Sequence, residues 1–414
     1  MNKFLRFDWY ALTLYLMLVG IGLVNIYSAV YDTNNMEIAT AFMQKQLISL
    51  GIGVVMIFLL QFIDIKFFER YASILYLLSI LSLVGVWAFG TEVSGAKSWY
   101  SIGGFSIQPS EFAKVAVALA LAKHLGGFNT YIDRVKDYTG AFVIMAIPAI
   151  LTVLQPDPGT AIVLLGFFLV LHAEGLPANF LYALLVLFGL FILTLLIGTN
   201  TTLLTIGVIS VFTHIYRRWR KSKKVVFKSI ILIGFIGASF TLSVSYIFDN
   251  VFEQRHRDRF NILLGKEVDI RGVGYNINQS QIAIGSGGGL GKGYLQGTQT
   301  KGGFVPEQQT DYIFTTVGEE WGFLGAVIVL GLFTMLMFQI VKTACKQKTT
   351  FNRVFCLGFA CIMLIHVAIN IGMVVGLVPT IGIPLPLMSY GGSSLLAFSI
   401  FMGIYLRMYY QRIK

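Results

Sequence analysis

The sequence predicts an all-α polytopic membrane protein, and three observations carry that prediction. Hydrophobic residues make up 56% of the 414 residues and charged ones only 12%, a balance that no soluble globule of this size sustains. Apolar runs near the length of a bilayer-spanning helix, roughly 20 residues for about 30 Å of hydrocarbon, recur with short polar breaks between them. Lysine and arginine gather on alternate connections, the signature of one fixed orientation across a membrane.

About twelve runs can be read, within an expectation of about 10 to 12 spans. They centre near residues 20, 55, 80, 117, 147, 167, 188, 209, 238, 326, 365 and 402. The first, from Trp9 to Val30, is long and lacks a small-residue cleavage site, so it reads as a retained anchor and not as a signal peptide. The runs near 117, 147, 167 and 209 are short. With the N-terminus inside, the inner connections hold Lys3 and Arg6, Lys66 and Arg70, then Lys123, Arg134 and Lys136. They also hold the "RRWRKSKKVVFK" cluster from Arg217 to Lys228, the basic residues of "KTACKQKTTFNR", and Arg407, Arg412 and Lys414. That is about two thirds of the 31 lysines and arginines, so inside bias accounts for the +11 net charge and makes nucleic acid an unneeded partner. The 217–228 cluster faces inward only if an odd number of helices separates Glu174 from Asn250, and three satisfies it. Cys345, Cys356 and Cys361 form neither a metal spacing nor an external pair.

The whole chain, 1–414, reads as a single transmembrane domain. Its one long non-apolar stretch, 249–310, lies outside between the ninth and tenth helices. Connections of this length are usually functional or disordered, and this one is not low-complexity: Ile262, Tyr275, Ile282, Leu290 and Phe304 predict parts that fold back toward the membrane. Within it, "GSGGGLGKG" from Gly285 to Gly293 fails as a phosphate loop, with Ser286 where a glycine is needed and Gly293 where Ser or Thr is needed. What remains is backbone able to approach a ligand closely with Lys292 beside it, or equally a hinge with a solvated lysine.

Ionisable residues at the membrane or its outer rim mark the candidate site. In "QPSEFAK", Pro109 opens the fourth helix and puts Glu111 and Lys114, three apart, on one face. Either alone in lipid would cost at least a few kcal/mol, so the pair faces a cavity or fixes helix packing. In "QPDPGT", Asp157 stands where it can cap the sixth helix. "FVPEQQTDYIF" adds Glu307 and Asp311 at the outer mouth of the tenth helix, with Thr310 or Asp311 an alternative N-cap. "GIPLPLMSYGGSS", which contains Ser389, breaks apolar sequence with two prolines and two glycines, and such backbone sits at membrane depth only when buried or lining a cavity. Arg255, Arg257 and Arg259 stand outside against the charge bias, and their alternate spacing suits an extended segment. Polar groups thus converge at the outer interface, and their ligand should combine a lipid portion with a phosphate or sugar head.

These motifs, with "GYNINQSQIAIGSGG", "GKGYLQGTQT" and "GEEWGFLGA", match in order over most of the chain, and the sequence resembles the SEDS family (shape, elongation, division and sporulation), its rod-shape branch more than its division branch. The resemblance implies a peptidoglycan glycosyltransferase of the bacterial cytoplasmic membrane that polymerises lipid II on the outer face beside a class B penicillin-binding protein. It also implies that Asp269, ahead of "IRGVGY", is the catalytic aspartate. Here the chain departs from the family: the first of two usual Asp-Pro pairs is replaced by Gly265 and Lys266, and Asp269 is followed by Ile270. Relatives often have about ten helices, so the segment from about 200 to 228 reads as an insertion of two.

Polymerisation joins the 4-hydroxyl of one sugar to C1 of another and expels a lipid pyrophosphate. The leaving group is already stable, so one carboxylate acting as base suffices, with inversion; glycoside hydrolysis would ask for two. Lys114, Lys292, Arg257 and Arg259 are candidate partners of the pyrophosphate, with Glu111, Asp157, Glu307, Asp311 and Ser389 completing the substrate site. A divalent cation, Mg or Mn, would share that work, but no residues build a dedicated cage. A flippase for the same lipid, or a scaffold for the crosslinking enzyme, is the alternative. The flippase predicts inverted repeats and midplane charges, and no repeat is visible.

Overall fold

A computed structural model describes residues 7–31, 36–93, 96–103, 105–127, 134–219, 225–250, 252, 254–266 and 274–412. The described residues are mostly helical: α1 Trp9–Val30, α2 Met36–Leu60, α3 Ile65–Phe89, α4 Pro109–Leu125, α5 Val135–Leu154, α6 Pro158–Leu165, α7 Phe167–Ala173, α8 Ala178–Ile197, α9 Thr199–Trp219 and α10 Val225–Asn250. There follow α11 Gln254–Leu263, α12 Tyr275–Gly287, α13 Thr298–Lys301, α14 Ile313–Glu320, α15 Gly322–Ala344, α16 Thr350–Val374 and α17 Gly392–Arg412. All the predicted centres fall on helices, and among the described residues eight helices are long and apolar enough to cross a membrane. Helices satisfy their own backbone groups, which hydrocarbon demands. Between Glu174 and Asn250 lie α8, α9 and α10; α8 and the 230–250 part of α10 are among those eight, and α9 is one continuous helix.

Local chemistry starts and stops these helices where expected. Asp8 caps α1 through Ala11 N–H, Asp64 caps α3 through Lys66 N–H, and Pro109 occupies the first turn of α4. Asp157 caps α6, accepting from Thr160 N–H at 3.1 Å. The sixth predicted helix is broken at Gly166 into α6 and α7. The cap expected of Thr310 or Asp311 is not formed. A tight turn, in which Glu307 has φ 52° and its carbonyl accepts from both Thr310 and Tyr312 N–H, delays α14, whose N-cap is Tyr312.

Contacts divide the chain into two compact units, where a single domain is expected from the sequence: one of Met1–Leu176 with Asn276–Lys414, the other Pro177–Tyr275. In the first, α4 and α16 are central. Small residues around α4, with Ala113, Ala116, Ala118 and Ala122 buried, let α3 and α16 approach closely, and small residues are how helices pack where lipid removes the hydrophobic drive. About a fifth of the apolar window of α2, α3 and α5 is buried, against 61% for α16, so the former present their sides to lipid. Before α4 the chain makes three short antiparallel strands, β1 Thr91–Val93, β2 Ala96–Ile102 and β3 Phe105–Ile107, with Tyr100 opposite Ile107.

The second unit packs α8, α9 and α10 together, with Thr199 Oγ1 donating to Ser245 Oγ at 2.9 Å. The arginine run is not extended: it forms α11, because Phe260 packs against Phe191, Phe248 and Phe252 and draws the segment into a helix on the end of α10. At helical spacing residues 255 and 259 share a face that 257 leaves.

Candidate functional site

In the first unit, four segments distant in sequence meet around α4. The Lys114 ammonium, 1% exposed, lies 2.7 Å from Glu111 Oε1 and 2.8 Å from His366 Nε2 on α16. A buried charge pair of this kind survives only when further polar contacts offset its desolvation. Here the third N–H of Lys114 has no acceptor among the described residues, and Glu111 Oε2 is buried without a partner. One donor and one acceptor are therefore left open side by side.

Asp157 is tied to the same helix. Its Oδ2 accepts from Gln108 Nε2 at 3.1 Å, Ser110 Oγ at 3.4 Å and Thr160 Oγ1 at 2.8 Å. The Pro/Gly loop after α16 completes the cluster: Pro384 O is 3.3 Å from His366 Nδ1, and Asn370 Nδ2 donates to Ile383 O and Asp311 O, both at 2.7 Å. Ser389 Oγ donates to Thr310 O and accepts from Leu385 N–H, and Tyr390 N–H donates to Gln309 O. The irregular stretch is buried, as its membrane setting requires, with Ile383, Leu385, Leu387 and Met388 all nearly inaccessible.

The structure therefore gathers Glu111, Lys114, Asp157, Asp311 and Ser389 around the start of α4, Asp157 through Gln108 and Ser110, and the 309–311 segment through its main-chain carbonyls. Glu307 stands exposed at the edge of its turn. Lys292 belongs elsewhere in this unit: its ammonium lies 2.7 Å from Glu319. Arg257, which donates to Asp249 O at 3.0 Å, and Arg259 belong to the second unit. Asp269 lies outside the described residues. Among the described residues no three His, Cys, Asp or Glu converge as metal ligands.

Lys292 and the glycine stretch explain each other. A Cβ on Gly287 would fall against Gly318 O, and one on Gly291, φ 81°, against Glu320 O. The glycines approach protein backbone: Lys292 and Gly293 N–H donate to Glu319 and Glu320 carbonyls at 3.0 Å, and Phe323 N–H returns a bond to Gly288 O at 2.9 Å. Beneath this seam the Glu319 carboxylate, fully buried, accepts from Lys292 Nζ, Gln299 N–H and Thr300 N–H at 2.7 to 2.9 Å. Burial would raise its pKa, but the Gln299 N–H, the Lys292 ammonium and the Thr300 N–H outweigh it and hold the carboxyl below its usual range. Its neighbour Glu320 goes the other way. Burial raises it despite bonds from Ser28 Oγ and Leu295 N–H and the nearby Lys301.

Sequence reasoning missed His366, Asn370, Glu319 and Glu320. The signal for the first two was present: a titratable and an amide side chain four apart in an apolar run, hence on one face of α16.

Fold and site together define a multi-pass membrane protein that gathers charged and amide side chains within its helical bundle. A family model described as cell cycle protein, for FtsW, RodA and SpoVE, matches residues 9–227 and 198–414, and the chain belongs to that family. It is 33% identical over 420 residues to the peptidoglycan glycosyltransferase RodA of Treponema pallidum, covering 96% of each chain. To the peptidoglycan glycosyltransferase MrdB of Escherichia coli K12 it is 34% identical over 389 residues, covering 94% of this chain and 90% of the relative. A solved structure of a peptidoglycan synthase complex, described as coordinating polymerization and crosslinking, is similar with a TM-score of 0.72 at 30% identity over 99% of each chain.

Proposed function

We propose that this chain is a peptidoglycan glycosyltransferase that polymerises lipid II into glycan strands at the outer face of the bacterial cytoplasmic membrane during elongation. The observation that carries the reading is one-third identity, along nearly the whole chain, to enzymes named for that activity. The buried Glu111–Lys114 pair, with its open donor and acceptor, supports it. Asp269 takes the proton of the acceptor 4-hydroxyl, the oxygen forms its bond to the donor C1, and the C1–O bond to the lipid diphosphate breaks with its electron pair leaving on phosphate. Inversion at C1 follows from direct displacement. Lys114 donates to the departing diphosphate, where charge grows and a preorganised donor contributes most. Asp157 and Ser389 hold the ends of the segments that frame it. A class B penicillin-binding protein crosslinks the product, and the likeness to a synthase complex supports such a partner.

Detergent-purified protein, with and without its crosslinking partner, should convert lipid II into glycan chains resolved on a gel. Asp269→Asn should reduce the product to background while lipid II still binds, and near-normal product from that variant would reject the assignment. Movement of lipid II across vesicle bilayers without polymer would favour a flippase.

A further inference from the structure

We infer that His366 is a positioning residue that aims the Lys114 ammonium, and so decides whether its uncommitted N–H meets the substrate. The inference rests on the transferase reading for what that N–H meets; the orientation itself rests on geometry alone.

His366 is 1% exposed and 252 residues from Lys114 in sequence. An ammonium 2.8 Å from Nε2 needs a lone pair there, so Nε2 carries no proton. Nδ1 faces Pro384 O at 3.3 Å, and a carbonyl only accepts, so the ring proton sits on Nδ1. The tautomer is therefore set by both neighbours at once. The imidazole links the cation on α4 to the irregular loop whose far end, at Ser389 and Tyr390, is bonded to Thr310 and Gln309.

The second acceptor matters because of where it comes from. Glu111 and Lys114 share α4, so their contact alone lets the nitrogen swing about Oε1 while both move together. An acceptor on α16 triangulates the nitrogen between two helices. With two N–H directions taken, tetrahedral geometry sets the third. Phe398 of α17 closes the flank, its ring centroid 5.9 Å from Nζ and 5.4 Å from the imidazole, edge to face. A donor held this way pays no reorganisation as charge develops on a leaving group, so its loss should appear in kcat more than in KM.

The test compares His366→Gln with His366→Leu in the full-length protein. A glutamine offers a carbonyl oxygen to Lys114 and an N–H to Pro384, whereas leucine offers neither. Per folded molecule, His366→Leu should lose at least about tenfold in kcat from lipid II with KM nearly unchanged, and His366→Gln should stay within about threefold of the parent. In protein labelled with nitrogen-15 histidine, one Nε2 resonance should lie in the range of an unprotonated ring nitrogen and vanish in His366→Gln. A leucine variant as fast as the parent, a glutamine variant as slow as leucine, or a protonated Nε2 would each overturn the inference. If leucine does not fold, the glutamine rate and the nitrogen resonance still decide. A parent that makes no glycan, with the resonance as expected, would sink the transferase reading and leave the geometry standing.

Discussion

Replacing Glu319 by glutamine tests how the 292–301 segment is held. The carboxylate gives Oε1 to Lys292 and Gln299 N–H and Oε2 to Thr300 N–H, with Thr298 Oγ1 at 3.3 Å. Glutamine is nearly isosteric but has one acceptor oxygen, so an NH₂ must face either the Thr300 N–H or both Lys292 and Gln299. The first placement costs less and still sets donor against donor. An orphaned buried N–H costs about 1–3 kcal/mol. Loss of the charge at Lys292, whose side chain is 24% exposed and so recovers water, adds about 1 kcal/mol. The sum of about 2–4 kcal/mol corresponds to roughly 30- to 700-fold faster amide exchange if the segment opens locally. Hydrogen–deuterium exchange on peptides covering Gln299 and Thr300 reads this directly. Lys292→Gln, which leaves both backbone bonds in place, should give much the smaller change. Unaltered exchange in Glu319→Gln, or an equal effect from Lys292→Gln, would refute the argument that the backbone bonds dominate.

Further outcomes follow from the charged groups. Lys114→Ala strands the Glu111 carboxylate in the bundle and should destabilise the first unit by about 3–5 kcal/mol; denaturation in detergent measures it, and glycan made per folded molecule should also fall. If that specific activity holds while stability drops, the pair only fixes helix packing. Glu320→Gln should stabilise the protein near neutral pH. A carboxyl whose folded pKa lies above its unfolded value favours the fold at pH below the unfolded value and loses that contribution as pH rises through the raised one. The amide does not titrate, so the gain of the variant over the parent should grow from acid to neutral pH in a melting series. A constant offset across that range would show that the Glu320 charge is not the cause.

Much of the fold was legible because hydrocarbon permits few solutions. Long apolar runs had to be helices, and Pro109 and Asp157 sit where backbone chemistry begins one, while the break at Gly166 was not legible. Short-range chemistry misled where tertiary packing overrode it. Alternating arginines look extended until Phe260 finds three rings, and "SWYSIGGFSI" makes strands that an all-helical expectation passes over. The site was half legible. Glu111 and Lys114 announce themselves by being charged in an apolar run, but their third member lies on another helix and no local spacing points to it. The glycine stretch correctly signalled close approach, yet nothing in its own residues tells a ligand from the backbone at 318–322.

That seam has a practical bearing on anyone wishing to watch this enzyme work. Its interlock is main chain on both sides, and a Cβ at Gly287 or Gly291 would collide with it, so the backbone itself sets its register. Gly289 sits in the middle of it, exposed, with open space where a side chain would project. A single cysteine installed there would carry a fluorophore or spin label on a rigid mount, turning the glycine ribbon into a fixed reference from which movements elsewhere in the chain can be gauged.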